Sequence, residues 1–85
     1  MAQVEIYTLT YCPFCRMAKQ LLNSKGVEYT EYSVDGDEAI RDAMAQRGSD
    51  GKRSVPQIFI DDVHIGGNDD LQKLEQQEKL DVLLA

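Results

Sequence analysis

Hydrophobic positions recur along this chain with two periods, and each change of period marks a new element. From Gln3 to Leu9 the β-branched and aromatic residues Val4, Ile6, Tyr7 and Thr8 crowd together, the pattern of a strand buried on both faces. After Phe14 the period becomes helical. Phe14, Met17, Ala18, Leu21 and Leu22 fall at i, i+3, i+4, i+7 and i+8, a stripe predicted to face a core, and Gly26 offers the left-handed cap that ends it. A second strand is predicted from about Val27 to Val34.

Asp35-Gly36-Asp37-Glu38 reads as a helix start, with Asp35 as the cap and Glu38 reciprocating three residues on. Ile40, Ala43 and Met44 then supply a short apolar stripe, so the second helix is expected over Asp37 to Arg47. Ser49 to Arg53 is polar, aperiodic and carries Gly51, and reads as a loop. Gln57 to Ile60, the turn Asp61-Asp62, and Val63 to Ile65 form a hairpin that Gly66-Gly67 ends. Asn68 is the expected cap of a third helix, with Asp69 and Asp70 at the positive end of its dipole and Leu71 and Leu74 facing inward. Leu80, Leu83 and Leu84 fall out of phase with that stripe, which predicts a break near Gln77 and a terminal helical turn. The order is βαβ, then αββα, a small three-layer α/β unit. The helical crossover makes the first two strands parallel and right-handed in connection.

At 85 residues the chain has material for one core, so a single domain over residues 1–85 is expected. Its 42% hydrophobic and 28% charged residues fit a soluble globule. No apolar run approaches the roughly 20 residues that cross a bilayer, and the N-terminus lacks the layout of a signal peptide, so a cytoplasmic protein without membrane association is expected. Fifteen acidic residues against nine basic give a net charge of −6, which repels a phosphate backbone and argues against nucleic acid as a partner. The charge is unevenly spread: between Glu5 and Glu28 there is no acid, while Arg16, Lys19 and Lys25 lie there. That end of the molecule is predicted to be locally basic.

The two cysteines, Cys12 and Cys15, are three residues apart. A disulfide across so short a loop removes little unfolded-state entropy, so a structural staple is a poor explanation and reversible chemistry a better one. Cys12-Pro13-Phe14-Cys15 lies where the first strand turns into the first helix, with Pro13 suited to the first helical position. Cys12 is then the N-cap, where free backbone N–H groups and the helix dipole favour thiolate over thiol and depress its pKa from the ordinary value of about 8.5. Three residues along a helix is about 5–6 Å, within disulfide range, so the pair can close reversibly. Cys15 belongs to the Ala18 and Leu22 side of the helix while Cys12 projects from the strand end, which makes Cys12 the attacking and Cys15 the resolving sulfur. Arg16 and Lys19 add positive charge nearby. Zinc ligation is the competing reading, but two cysteines and one histidine, His64, do not complete a ligand set, and no metal is expected. His64 is expected at the surface, and Met17 and Met44 in core stripes.

Three segments carry a resemblance that covers nearly the whole chain. Tyr11-Cys12-Pro13-Phe14-Cys15, Ser54-Val55-Pro56-Gln57-Ile58-Phe59-Ile60 and His64-Ile65-Gly66-Gly67-Asn68-Asp69-Asp70-Leu71 resemble, in order and spacing, the motifs of bacterial dithiol glutaredoxins. The resemblance implies a thioredoxin-like fold, a small mixed sheet flanked by helices, with a cis Val55-Pro56 peptide opposite the cysteines. It also implies an enzyme that uses glutathione to reduce protein disulfides and protein–glutathione mixed disulfides, and a monomer is expected. Carried over residue by residue, Val55 and Pro56 would receive the cysteinyl part of glutathione, Gly67, Asn68 and Asp69 its γ-glutamyl end, and Tyr11 and Phe14 would wall the site. Where many relatives have a lysine three residues before the first cysteine, this chain has Leu9, leaving Arg16, Lys52 or Arg53 as replacement cations. The loop from Gly48 to Arg53 is longer than in those relatives. Two alternatives differ in class: a glutathione-ligated iron–sulfur carrier, which Pro13 disfavours, and a redoxin reduced by thioredoxin reductase, which Asn68, Asp69 and Val55-Pro56 disfavour.

Overall fold

The computed structural model describes residues 2–85. Strand β1 (Val4–Thr8) leads into helix α1 (Pro13–Ser24) and then strand β2 (Thr30–Ser33). Helix α2 (Glu38–Arg47) crosses to a hairpin of β3 (Gln57–Ile60) and β4 (Val63–Gly66), which is followed by α3 (Asn68–Gln76) and the short α4 (Leu80–Leu84). The sheet order is β2-β1-β3-β4, with β1 and β2 parallel and the other pairs antiparallel. This is the thioredoxin-like arrangement: a mixed four-stranded sheet between helical layers.

Alternation along the central strands sorts side chains between two cores. Val4 and Ile6 of β1 with Ile58 and Ile60 of β3 meet Ala18 and Leu22 of α1, Leu71 of α3, and Leu80 and Leu84 of α4. The opposite side chains, Tyr7 and Phe59, pack with Val34 and with Met44 of α2. Both faces of β1 and β3 are covered, which is why these strands read as nearly continuous apolar runs.

Several local expectations are corrected. The buried column of α1 is Cys15, Ala18 and Leu22, whereas Phe14 and Met17 are exposed and Leu21 is half-buried. The apolar stripe is therefore rotated toward the cysteine, a residue type that buries as readily as an aliphatic one. Strand β2 is shorter than the expected Val27 to Val34 and lies at a sheet edge, with Thr30, Glu31 and Ser33 exposed. Asp37, not Asp35, caps α2, accepting from the Ile40 N–H at 3.0 Å. Asp35 instead receives the Thr10 N–H, at 3.0 Å to one of its oxygens, and the Thr10 hydroxyl, tying the approach to α1 to the end of β2; these bonds hold its carboxyl below the usual range.

The N-cap of α3 is Gly67, and Asn68 is its first helical residue; the Asp70 carboxylate accepts from the Gly67 N–H at 3.1 Å. Gly66, at φ +121°, sits so close to that carboxylate that a Cβ would collide with it. Asp61 and Asp62 both adopt positive φ, the geometry a two-residue hairpin turn requires. Gly26, at φ +68°, follows α1 as expected.

Candidate active site

Cys12 takes the N-cap of α1 because an extended residue must stand between β1 and a helix whose first position is Pro13; its backbone is at φ −139°, ψ 102°. Its Sγ accepts the Cys15 backbone N–H at 3.1 Å, and the helix begins beneath it with no acidic residue in the first turn. This donor and the helix dipole are placed to hold a negative sulfur. Cys12 and Cys15 are joined in a disulfide with Cα atoms 5.2 Å apart. The two sulfurs differ in access: Cys12 is half-buried, whereas Cys15 is 1% exposed under the Ala18 and Leu22 side of the helix.

Across from Cys12 the chain enters β3 through the cis Val55-Pro56 peptide, and the Val55 carbonyl oxygen lies 3.9 Å from the Cys12 Sγ. Beside it opens a cleft of about 220 Å³. One wall is Phe14, another Ser54 to Gln57, the floor is the start of α3 from Gly67 to Asp70, and the rim is the loop carrying Asp50 and Lys52. Of the residues singled out from the sequence, Phe14, Val55, Pro56, Gly67, Asn68 and Asp69 thus meet in one cavity. Tyr11 stands apart, 92% exposed and outside the lining, so Phe14 alone supplies an aromatic wall. Asn68 is buried at 5% exposure and its Oδ1 accepts from Gln72 at 3.1 Å, while Asp69 is exposed at the cleft.

The basic end of α1 is less basic than its sequence. Lys19 pairs with Glu31 at 3.0 Å, and Lys25 with Glu75 and Asp81 at 2.7 and 2.8 Å. Glu31 also accepts from the Thr8 hydroxyl at 2.6 Å, and this bond, with Lys19, holds its carboxyl below the usual range. Among the three cations that could replace a lysine at Leu9, Arg53 is committed to Glu38 and Asp42 on α2. Lys52 lines the cleft and stands 4.0 Å from Asp50.

The sequence reading missed Asp50, Ser54, Gln57 and Asp70 as lining residues, and misjudged His64. That ring is half-buried, stacked on Phe59 with centroids 5.0 Å apart, and bonded through both nitrogens. No pattern in the sequence announces these contacts, because they join a strand, a loop and a cleft wall.

The family model "Glutaredoxin" matches residues 4–65. The chain belongs to the glutaredoxin family. It is 54% identical over 84 residues to glutaredoxin 3 of Escherichia coli, covering 99% of both chains. It is 59% identical over 83 residues to a "Probable glutaredoxin" of Synechocystis sp., covering 98% of this chain and 93% of that one. Among solved structures, a buckwheat glutaredoxin–glutathione complex superposes with a TM-score of 0.87 at 31% identity, over 98% of this chain and 76% of that one. As a glutaredoxin the chain is a glutathione-dependent thiol-disulfide oxidoreductase, and its cysteine pair is consistent with redox-active sulfurs. No described helix is long and apolar enough to cross a membrane, and among the described residues no cluster of three or more His, Cys, Asp or Glu is placed to hold a metal ion.

Proposed function

We propose that this glutaredoxin, as one domain over residues 1–85, reduces protein–glutathione mixed disulfides and protein disulfides, with Cys12 attacking and Cys15 resolving. The observation that carries the assignment of roles is the contrast between the two sulfurs: Cys12 is partly exposed and accepts the Cys15 N–H at the start of α1, and Cys15 is buried behind it. In deglutathionylation the Cys12 thiolate attacks the glutathione sulfur of the mixed disulfide; the protein thiolate leaves and takes a proton. A second glutathione thiolate then attacks the glutathione sulfur on Cys12, releasing glutathione disulfide and restoring the Cys12 thiolate. With a protein disulfide, Cys12 forms the mixed disulfide and the Cys15 thiolate displaces the substrate by attacking the Cys12 sulfur. Two glutathione molecules reopen the resulting Cys12–Cys15 bond, the state in which the cysteines stand here.

Glutathione joined to Cys12 would run along the cleft. Its cysteinyl peptide passes the backbone of Val55, as an added strand does, between Pro56 and Phe14. Its γ-glutamyl carboxylate meets the N–H groups of Asn68 and Asp69 at the start of α3, and its ammonium meets the Asp69 carboxylate. Gly67 is the turn that brings this helix end to the cleft, its own N–H being taken by Asp70. Lys52 receives the glycyl carboxylate in place of the cation absent at Leu9. Tyr11, beside Cys12 and outside the cleft, meets the protein part of the substrate. One copy supplies every group in this scheme, so a monomer suffices, and neither a metal nor a membrane enters it; the cytoplasm is the compartment that supplies its glutathione.

The test is turnover with glutathione and glutathione reductase. Cys12→Ser should abolish activity, and Cys15→Ser should retain deglutathionylation while losing reduction of protein disulfides. Appreciable turnover by Cys12→Ser, or equal turnover when thioredoxin reductase replaces glutathione, contradicts the reading.

A further inference from the structure

We propose that His64 is a positioning residue for glutathione, acting through Ser49 and Gln57 to fix both ends of the loop that rims the cleft. The proposal rests on the cleft being the glutathione site. The Ser49 backbone N–H points at His64 Nδ1 at 2.9 Å. A backbone N–H only donates, so Nδ1 is the acceptor and the ring hydrogen sits on Nε2. That nitrogen donates to Gln57 Oε1 at 2.6 Å. The Gln57 amide nitrogen then faces the other end of the loop, donating to the Ser54 carbonyl oxygen at 3.0 Å and lying 3.3 Å from its hydroxyl.

One imidazole therefore ties the start of the loop directly and its end through one amide, and the Ser49 hydroxyl lies 2.9 Å from the same Nδ1. The ring itself is held flat against Phe59. The loop passes close over its edge: a Cβ on Gly48 would stand 3.3 Å from His64 Cε1, tight enough that the ring or the loop would have to give by a few tenths of an ångström. Between the two tied points lie Asp50 and Lys52, and just past them Val55, which together form one side of the cleft. His64 touches none of the space a substrate would occupy. Its effect on the reaction is to spare the loop an ordering cost that would otherwise fall on glutathione binding.

Three variants separate the arms of the relay. His64→Phe keeps a flat ring against Phe59 and removes both nitrogen contacts. The amide oxygen of His64→Asn approximates Nδ1 and keeps the Ser49 arm, while His64→Gln reaches toward the Nε2 position and keeps the Gln57 arm. The apparent KM for glutathione should rise about tenfold in His64→Phe and about threefold in each amide variant, since each lost arm is one neutral hydrogen bond. The kcat at saturating glutathione and the alkylation rate of Cys12 should stay within about twofold of the starting protein, because the sulfur is held by α1 and not by the loop. A lowered Tm in His64→Phe with KM unchanged would make the ring a purely structural support and overturn the proposal. A fall in kcat or alkylation rate with KM unchanged would overturn it as well. Should His64→Phe fail to fold, unchanged KM values in both amide variants are equally decisive against it. Failure of the glutathione assignment would look different, as absence of glutathione-dependent turnover in the unmodified protein.

Discussion

The sheet face under α1, α3 and α4 is sealed by aliphatic side chains, from Val4 and Ile6 through Leu22 and Ile58 to Leu71, Leu80 and Leu84. The face under α2 closes over Tyr7, Val34, Met44 and Phe59 and then turns polar. There Arg47 spans Glu5 with both terminal nitrogens, at 2.9 and 2.6 Å, reaches Asp62 at 2.9 Å and the Tyr7 hydroxyl at 3.1 Å, and lies over the Phe59 ring at 4.1 Å. Tyr32 donates to the same Glu5 at 2.9 Å. The His64–Gln57 relay is built on the same side, against the same Phe59 ring. The first face fixes α1 and with it the two sulfurs, by burial that has no direction. The second orders a loop by directed bonds, and the cleft forms where the two meet.

If that division holds, injuries to the two faces should read out differently. The largest effect is expected from Leu22→Ala, which empties a fully buried site on the helix face that also buries Cys15 and should cost about 3 kcal/mol, or roughly 15 °C in Tm. The KM for glutathione of the folded variant should be unchanged, because the loop is untouched. A Leu22→Ala protein that kept its Tm but bound glutathione poorly would blur the comparison.

A smaller effect is expected from Arg47→Met, which leaves the Glu5 carboxylate with Tyr32 as its remaining partner and should cost about 2 kcal/mol at neutral pH. The Arg47 bonds hold the Glu5 carboxyl below its ordinary value of 4.5 in the folded protein. A depressed carboxyl stabilises fully above its unfolded value and loses that contribution as the pH falls through the folded one. Denaturant titrations from pH 7 downward should therefore show the difference between the two proteins constant to about pH 4.5 and narrowing below it. A gap independent of pH would mean that Arg47 acts through packing on Phe59 and not through its charge.

The same division explains what was legible in the sequence. Burial leaves a periodic trace, so the strands, the helices, the hairpin and the crossover could be read from residue spacing, and the cysteine pair from its place at a strand-to-helix boundary. On the apolar face the differences are of phase: the i, i+3, i+4 spacing from Phe14 fits a stripe through Phe14 and Met17, whereas the buried column runs from Cys15 through Ala18 to Leu22. Directed bonds leave no such trace. Asp35 and Asp37 are equally good caps by type, and only the arrival of Thr10 beside Asp35 decides between them. His64 and Arg47 could not be assigned partners from sequence because Ser49, Gln57, Glu5 and Asp62 become their neighbours only through strand pairing and the hairpin turn. The residues proposed to bind glutathione are legible by resemblance alone, and the contacts by which the polar face holds the loop are not.

Everything proposed for the site begins with a sulfur activated by its position at the start of α1. The most direct measurement is the thiolate absorbance near 240 nm as a function of pH in Cys15→Ser, where Cys12 is the remaining thiol. With the Cys15 N–H in contact, the sulfur at the positive end of the α1 dipole and no acid in the first turn, the midpoint should lie well below the ordinary thiol value of about 8.5. A midpoint at about 8.5 would contradict the account, since the N-cap position would then confer no activation on the cysteine from which both reactions start.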